Sequence, residues 1–323
     1  MLLIISDRRD DSVSMVVRRL DERGVPVLWW DEADFPERTV LCTRLSGTGC
    51  RQTLVHQGVS HDLAEVTAVW HRRPNPPEAS SVVDPSQRAY AEEMARQMLH
   101  GVYELMPTDR WLPARPRHMA RVDNKLLHLR RAAELGFTIP ETVIGNDPGQ
   151  LVPAWRRAQG RLISKALGFR PFFIDGEDHH VYTTKIERRD LAGRHRIRHA
   201  PVILQPNLAK AVELRVTIVG ERVFSAEIDS QSSRLTSQDW RHYEDLGVAY
   251  RPHPLPEDVE KRCLRLVASL GLNYGAIDLI LAPDGEYVFL ELNVSGQWAF
   301  VELRAGLPIG DAIADWLTEG RSR

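Results

Sequence analysis

Short apolar runs and apolar residues at helical spacing alternate through the first hundred residues. Leu2-Leu3-Ile4-Ile5 predicts a buried strand. Val13, Val16, Val17 and Leu20 share one face of a helix over 10–24, which Gly24 stops. Residues 26–30 predict a second strand. Residues 39–44 and 52–56 predict a strand pair around the turn residues Ser46 to Gly49. Residues 68–70 form another strand, closed by His71-Arg72-Arg73-Pro74-Asn75-Pro76-Pro77, and 85–105 reads as a long helix. This order predicts a small α/β lobe with a mostly parallel sheet.

Three prolines within 107–116 mark a boundary. Beyond it the pattern predicts a helix over 123–136 and a strand at 141–144. A further helix is opened by Asn146-Asp147-Pro148, a capping side chain just before proline. Strands follow at 161–166, 181–185 and 202–205. A hairpin joins 213–219 to 222–229 across Gly220-Glu221. A helix at 256–271 precedes a second hairpin, 275–282 and 287–293, around Pro283-Asp284-Gly285. A last helix covers 308–317. No internal repeat or low-complexity tract interrupts the order.

Composition narrows the class. The chain has 323 residues, 43% hydrophobic and 27% charged, with a net charge of -2. The length suits two or three lobes. Near-neutral charge argues against a nucleic-acid binder relying on bulk electrostatics. No apolar run approaches the roughly 20 residues of a membrane helix. The opening Met1 to Asp11 carries no basic region before its apolar run and reads as a strand, not a signal peptide. Cys42, Cys50 and Cys263 form no CxxC pair, which fits a reducing cytoplasm. Arginine outnumbers lysine 37 to 5. Codon bias is the ordinary cause, yet the few lysines mark places where a compact ammonium is wanted.

The candidate chemistry lies at 275–298. Asp278 sits on one strand of the second hairpin, and Glu291 and Asn293 on the other, two residues apart and so on one face. An acid inside an apolar strand is costly unless paired or metal-bound. Carboxylate and amide oxygens are hard donors that suit Mg²⁺. Singly, each residue is more often a strand-end polar group satisfied by backbone or arginine; three on adjacent strands favour a metal site. The chain lacks GxxxxGK[ST], a GxGxxG after its first strand, HExxH, GxSxG and the kinase signature.

These residues resemble a known family. The hairpin ending Glu291-Leu-Asn-Val-Ser-Gly-Gln-Trp298 is similar to the metal-binding end of ATP-grasp ligases. More narrowly, the chain resembles the ATP-grasp ribosomal peptide maturases, the graspetide or microviridin-type macrocyclases. The likeness covers the opening ISDRRDD, VDNKLLHLRRAAELGFTIPETVIGNDP, VYTTKI, ELRVTIVGERVFSAEIDSQ, QDWRHY and the 275–298 hairpin. It implies an ATP-grasp fold of mixed α/β and α+β character. An N-terminal pre-ATP-grasp α/β domain (1–116) would precede a central lobe (117–202) and a C-terminal lobe with the metal site (203–323).

The resemblance also implies roles. Lys125 would reach the nucleotide phosphates and Lys165 would lie beside the adenine and α-phosphate. Gln205, Pro206 and Asn207 would form the hinge whose backbone reads the adenine edge, and Glu213 would hold the ribose hydroxyls. Arg215 and Arg241 would meet the γ-phosphate or the acyl phosphate. Asp278, Glu291 and Asn293 would hold two Mg²⁺ ions. Against these stand solvated surface lysines and, for Glu213 with Arg215, a surface ion pair. Two positions depart from the pattern. Pro206 and Asn207 replace the usual hinge residues, removing an N–H at 206, and the usually glycine-rich loop at 168–178 here carries Phe169, Phe172 and Phe173, for a lid that closes by apolar packing or one that touches a hydrophobic part of the substrate.

The implied activity is ATP-dependent activation of Asp or Glu side chains of a ribosomal precursor peptide as acyl phosphates. Closure by a hydroxyl or amine of the same peptide then gives ω-ester or ω-amide macrocycles. The implied cofactors are ATP and Mg²⁺. The implied partner is a precursor with a leader and an acidic core, without nucleic acid or membrane, and the homodimer is the commonest assembly for such a chain. Asp229, His242 and Glu302 are low-ranked general bases. The basic run 188–199 and His71-Arg72-Arg73, at a sheet's carboxyl end, are candidate acid-recognition sites; for 188–199 a solvated charged loop is the ordinary reading. Two alternatives keep the same residues: a ligase adding a free amino acid to a small molecule or protein end, and a non-catalytic ATP-binding regulatory module.

Overall fold

The computed structural model describes residues 1–82, 84–168, 172–174, 177–179, 182–230 and 248–319, with 172–174 and 177–179 as backbone only. The first part alternates β1 (Leu2–Ser6), α1 (Asp11–Glu22), β2 (Val27–Trp30), β3 (Thr39–Ser46), β4 (Gly49–His56), β5 (Val59–Asp62), β6 (Ala68–Arg72), α2 (Pro85–Leu105) and β7 (Trp111–Leu112). Strands in the order β2-β1-β6-β7 make a parallel sheet, as the pattern predicts. The Asp10 carboxylate caps α1 by accepting from the Ser12 N–H, and Asp84 caps α2 just before Pro85. The expected strand pair is longer than predicted and gains β5, giving a separate antiparallel β3-β4-β5 sheet. Strand β7 falls inside the proline-rich stretch expected to be a boundary.

The second part holds α3 (Pro116–Val122), α4 (Lys125–Glu134), β8 (Val143–Gly145), α5 (Leu151–Arg157), β9 (Leu162–Lys165), β10 (Phe172–Ile174), β11 (Glu177–His179), β12 (Thr184–Ile186) and β13 (Val202–Pro206). Strands β12-β9-β13-β8 form an antiparallel sheet, and β10 pairs with β11. Asp147 caps a single 3₁₀ turn, Pro148–Gln150, before α5 begins. The basic run is itself a 3₁₀ segment, Arg188–His199, with its arginines and histidines exposed and Leu191 and Ile197 packed inward.

The third part is a five-stranded antiparallel sheet, β16-β15-β14-β17-β18. It comprises β14 (Val212–Val219), β15 (Arg222–Ile228), β16 (Tyr250–Pro252), β17 (Tyr274–Leu281) and β18 (Tyr287–Asn293), with α6 (Glu257–Ser269), α7 (Ala299–Ala305) and α8 (Ile309–Thr318). Gly220, at φ 58°, makes the turn of the first hairpin. The seven-residue α3 and α7 were not expected from the pattern, because two turns carry too little periodicity to read.

Two apolar clusters tie the parts together. Leu2, Ile4, Val13 and Trp70 of the parallel sheet and α1 pack with Trp298, Ile309, Ile313 and Leu317. Met119, Val122, Leu129 and Ala132 of α3 and α4 pack beneath the five-stranded sheet with Leu214, Val216, Ile277, Leu279 and Phe289. That second cluster anchors Lys125, at the start of α4, beside the sheet that carries the candidate metal residues.

Candidate active site

The site is built on β14, β17 and β18. Antiparallel register sets Arg215 opposite Asp278, and Asp278 opposite Glu291, so the three share one face. Asn293 lies two residues beyond Glu291, opposite Ala276, on that face. The opposite face carries Leu214, Val216, Ile277, Leu279 and Leu292 into the core, so a slip of one residue would bury the charges and expose the apolar set. A bulge between Asp278 and Leu279 shifts the register just past the acid, and pairing resumes with Leu279 opposite Phe289.

Asp278 is 6% exposed and accepts from the Arg215 guanidinium at 2.7 Å through one oxygen. Its other oxygen accepts from the Asn293 amide at 3.2 Å. Burial works against the Arg215 charge, yet the Asp278 carboxylate beside it holds the guanidinium pKa above its ordinary value. Arg215 also donates to the Gln297 carbonyl at 3.0 Å. Gly296 permits that approach, since an added Cβ would lie 2.4 Å from Ala276 Cβ and 2.8 Å from the Arg215 Nη2. Glu291 takes the Lys125 ammonium at 2.9 Å, and the same Nζ lies 3.4 Å from the Ala166 carbonyl. Lys125 therefore spans from the five-stranded sheet to the residue that follows Lys165 at the end of β9.

Glu213 is buried, and neither it nor Arg215 belongs to a surface ion pair. The Glu213 carboxylate accepts from Lys210 at 2.7 Å and from the Ser230 hydroxyl at 2.8 Å. Lys210 was missed from sequence, although its rarity as a lysine and its spacing of three from Glu213 were signals. Lys165 is half-buried on β9, opposite Ile203. Gln205 is buried and donates to the Thr142 hydroxyl at 2.9 Å. The Asn207 N–H donates to the Arg161 carbonyl at 2.6 Å. By alternation the peptide groups of Pro206 face away from β9, and on that side the pairing with β8 has already ended at Leu204 and Val143. The missing N–H of Pro206 thus breaks no ladder bond.

Arg241 and His242 lie outside the described residues, as does Phe169; for Phe172 and Phe173 only the β10–β11 pairing is described. Glu302 is engaged elsewhere, accepting from Arg19 at 2.6 Å and from the Gly310 N–H at 2.6 Å. It joins α1 to α7 and α8, which removes it as a base. Asp229 is half-buried just after β15. At the carboxyl end of β6, Arg72 is 2% exposed, bonded to Asp10 at 3.1 Å and to the Ser12 hydroxyl at 3.0 Å, and it reaches the Gln297 side chain. Arg73 donates from Nε to the Ser295 carbonyl at 3.0 Å. The parallel sheet thus meets the turn that follows Asn293.

The donor chemistry fits a hard divalent cation: two carboxylates and an amide oxygen meet on adjoining strands, each carboxylate already balanced by a cationic side chain. Among the described residues no three His, Cys, Asp or Glu side chains gather as ligands, so the amide of Asn293 is needed to complete the set.

Fold and site together define an ATP-grasp ligase of the ADP-forming kind. Residues 1–118 match the family model described as the MvdD pre-ATP grasp domain. A Chryseobacterium gregarium RiPP-associated ATP-grasp ligase, solved with ADP and a leader and core peptide, is 28% identical with a TM-score of 0.91 over 100% of this chain and 97% of that one. Macrocyclase MdnB from Microcystis aeruginosa MRC is 30% identical with a TM-score of 0.81, covering 99% of each chain. The chain belongs to the ATP-grasp ribosomal peptide maturases, the graspetide or microviridin-type macrocyclase family. Human N-acetylaspartylglutamate synthase A matches at 27% identity over 126 residues, 38% of this chain but only 31% of that protein, so the chain spans less than a third of that relative's length.

Proposed function

We propose that the chain activates Asp or Glu side chains of a ribosomal precursor peptide with ATP and closes them onto hydroxyls or amines of the same peptide. The observation that carries this reading is Lys125, whose ammonium meets Glu291 and lies 3.4 Å from the carbonyl of Ala166, next to Lys165, so that the candidate oxygen ligands and the candidate nucleotide lysines lie together. The reading divides the chain into a pre-ATP-grasp lobe (1–116) and two gripping lobes (117–202 and 203–323), with α3 and α4 crossing onto the C-terminal sheet. Free Cys42 and Cys50, both exposed, suit work in the reducing cytoplasm.

A carboxylate is a poor acylating agent at neutral pH. In the first step its oxygen attacks the γ-phosphorus, the bond to the β-phosphate oxygen breaks, and ADP leaves. In the second a hydroxyl or amine attacks the acyl carbon, loses its proton, and expels inorganic phosphate. The peptide loses one water for each link. Phosphoryl transfer asks the protein mainly to place reactants and neutralise charge. Arg215 and Lys125 supply fixed positive charge, and Asp278, Glu291 and Asn293 would hold Mg²⁺, which neutralises phosphate oxygens when bound. Pro206 presents a carbonyl without an N–H on the side away from β9, leaving an acceptor for an adenine amino group. Glu213 offers its carboxylate to ribose hydroxyls in place of Ser230.

The test is mass spectrometry of the peptide encoded beside this chain's gene, incubated with the protein, ATP and Mg²⁺. Loss of one water per link, with matching ADP release, is the expected result. An unchanged mass, or a gain from an added amino acid, would overturn it.

A further inference from the structure

Three guanidinium groups from two parts of the chain converge on the turn 295–297, directly after Asn293. Arg215 holds the Gln297 carbonyl, Arg72 lies 3.4 Å from the Gly296 carbonyl, and Arg73 holds the Ser295 carbonyl. Two of the three have carboxylate partners: Asp278 for Arg215 and Asp10 for Arg72. Arg73 differs. Among the described residues its head makes one hydrogen bond, from Nε, and no ion pair. Its two terminal amino groups remain available in the fork geometry that matches a carboxylate. Its backbone is also unusual, with φ at 46°, a region a long side chain adopts at a cost. That conformation lets neighbouring Arg72 turn into the core while Arg73 reaches the Ser295 carbonyl and keeps part of its surface in solvent.

Resting on the function proposed above, we infer that Arg73 of the parallel-sheet lobe binds the substrate carboxylate that is to be activated, beside the oxygen ligands of β17 and β18. The lobe that precedes the nucleotide-gripping part is then a wall of the active site and selects an acidic side chain. Packing around the Arg73 head and the adjacent Arg72 guanidinium lower its pKa, so an incoming anion relieves an unfavourable charge environment. The γ-phosphate offers similar chemistry, and the experiment separates the two.

The full-length Arg73→Gln and Arg73→Lys variants are compared with wild type in ADP binding and in ring formation on the precursor. For Arg73→Gln the expected result is a rise in KM for the peptide of about tenfold or more, with ADP affinity and KM for ATP unchanged. Arg73→Lys restores part of the loss by returning the charge without the fork. A precursor with its core Asp and Glu changed to Asn and Gln binds wild type more weakly than the acidic precursor does, and Arg73→Gln abolishes that difference. A peptide KM within twofold of wild type overturns the inference, and so does a KM for ATP that rises in step, which assigns Arg73 to phosphate. Wild type that removes no water overturns the parent function and this inference with it. Water loss by wild type with an indifferent Arg73→Gln overturns this inference alone.

Discussion

The five-stranded sheet and the central four-stranded sheet are linked through Lys125 but are built differently. Strand β14 pairs with β17 from Val212 to Val219, and Glu213, Arg215 and Asp278 are each less than a tenth exposed along it. An apolar floor from α3, α4 and α6 holds that register. In the central sheet β8 pairs only from Val143 to Gly145, four residues make the buried part of its cluster, and Lys165 is half-buried. Oxygen ligands for a metal need positions set within fractions of an ångström, which a long ladder over a packed core provides. In the function proposed above the central sheet covers the nucleotide, and a cover has to admit and release it, which suits short ladders and few apolar contacts.

The largest effect that sharpens this contrast is on stability. Arg215→Met leaves Asp278 buried without its cation and is expected to cost about 3–5 kcal/mol in urea unfolding, while removing both charges in Arg215→Met with Asp278→Leu recovers much of it. A single variant as stable as wild type would break the picture of a platform organised around a buried pair. Glu291→Gln comes next. The half-buried pair with Lys125 contributes little to folding, so stability changes by less than about 1 kcal/mol. ADP release falls by about 10²-fold or more. Wild-type-like release would take Glu291 out of the metal site. On the cover, Lys165→Met should leave folding nearly intact and weaken ATP affinity by about tenfold, read by calorimetry; unchanged affinity would contradict its place beside the nucleotide.

The smallest effect concerns pH. His128 is 1% exposed on α4, with Nε2 on the Val122 carbonyl at 2.7 Å. Burial, opposed by that carbonyl and by Asp123 and Glu291 and reinforced by Lys125, lowers its pKa below the ordinary 6.5. Below pH 6.5 the unfolded chain takes up a proton that the folded chain resists, so this contribution is full above that value and is lost as pH falls through the depressed one. Unfolding midpoints should decline in that window, and a His128→Gln variant should decline less.

Much of this was legible along the chain. The alternation at 275–293 predicted the hairpin and the shared face of Glu291 and Asn293, because strand periodicity is local. The capping run Asn146-Asp147-Pro148 marked the helical segment that includes α5, because a cap bonds across only two or three positions. What escaped was long-range. Lys210 as the partner of Glu213 follows from both side chains being buried together, and burial was not visible in the sequence. The contact of Arg72 and Arg73 with residues 295–297 joins positions more than 220 apart, and only packing of the parallel sheet against α7 and α8 brings them together. By itself the sequence determined the strands and helices and which chemical groups face together on each. The tertiary structure decided which buried charge neutralises which, since that depends on the low-dielectric neighbours each group meets after folding.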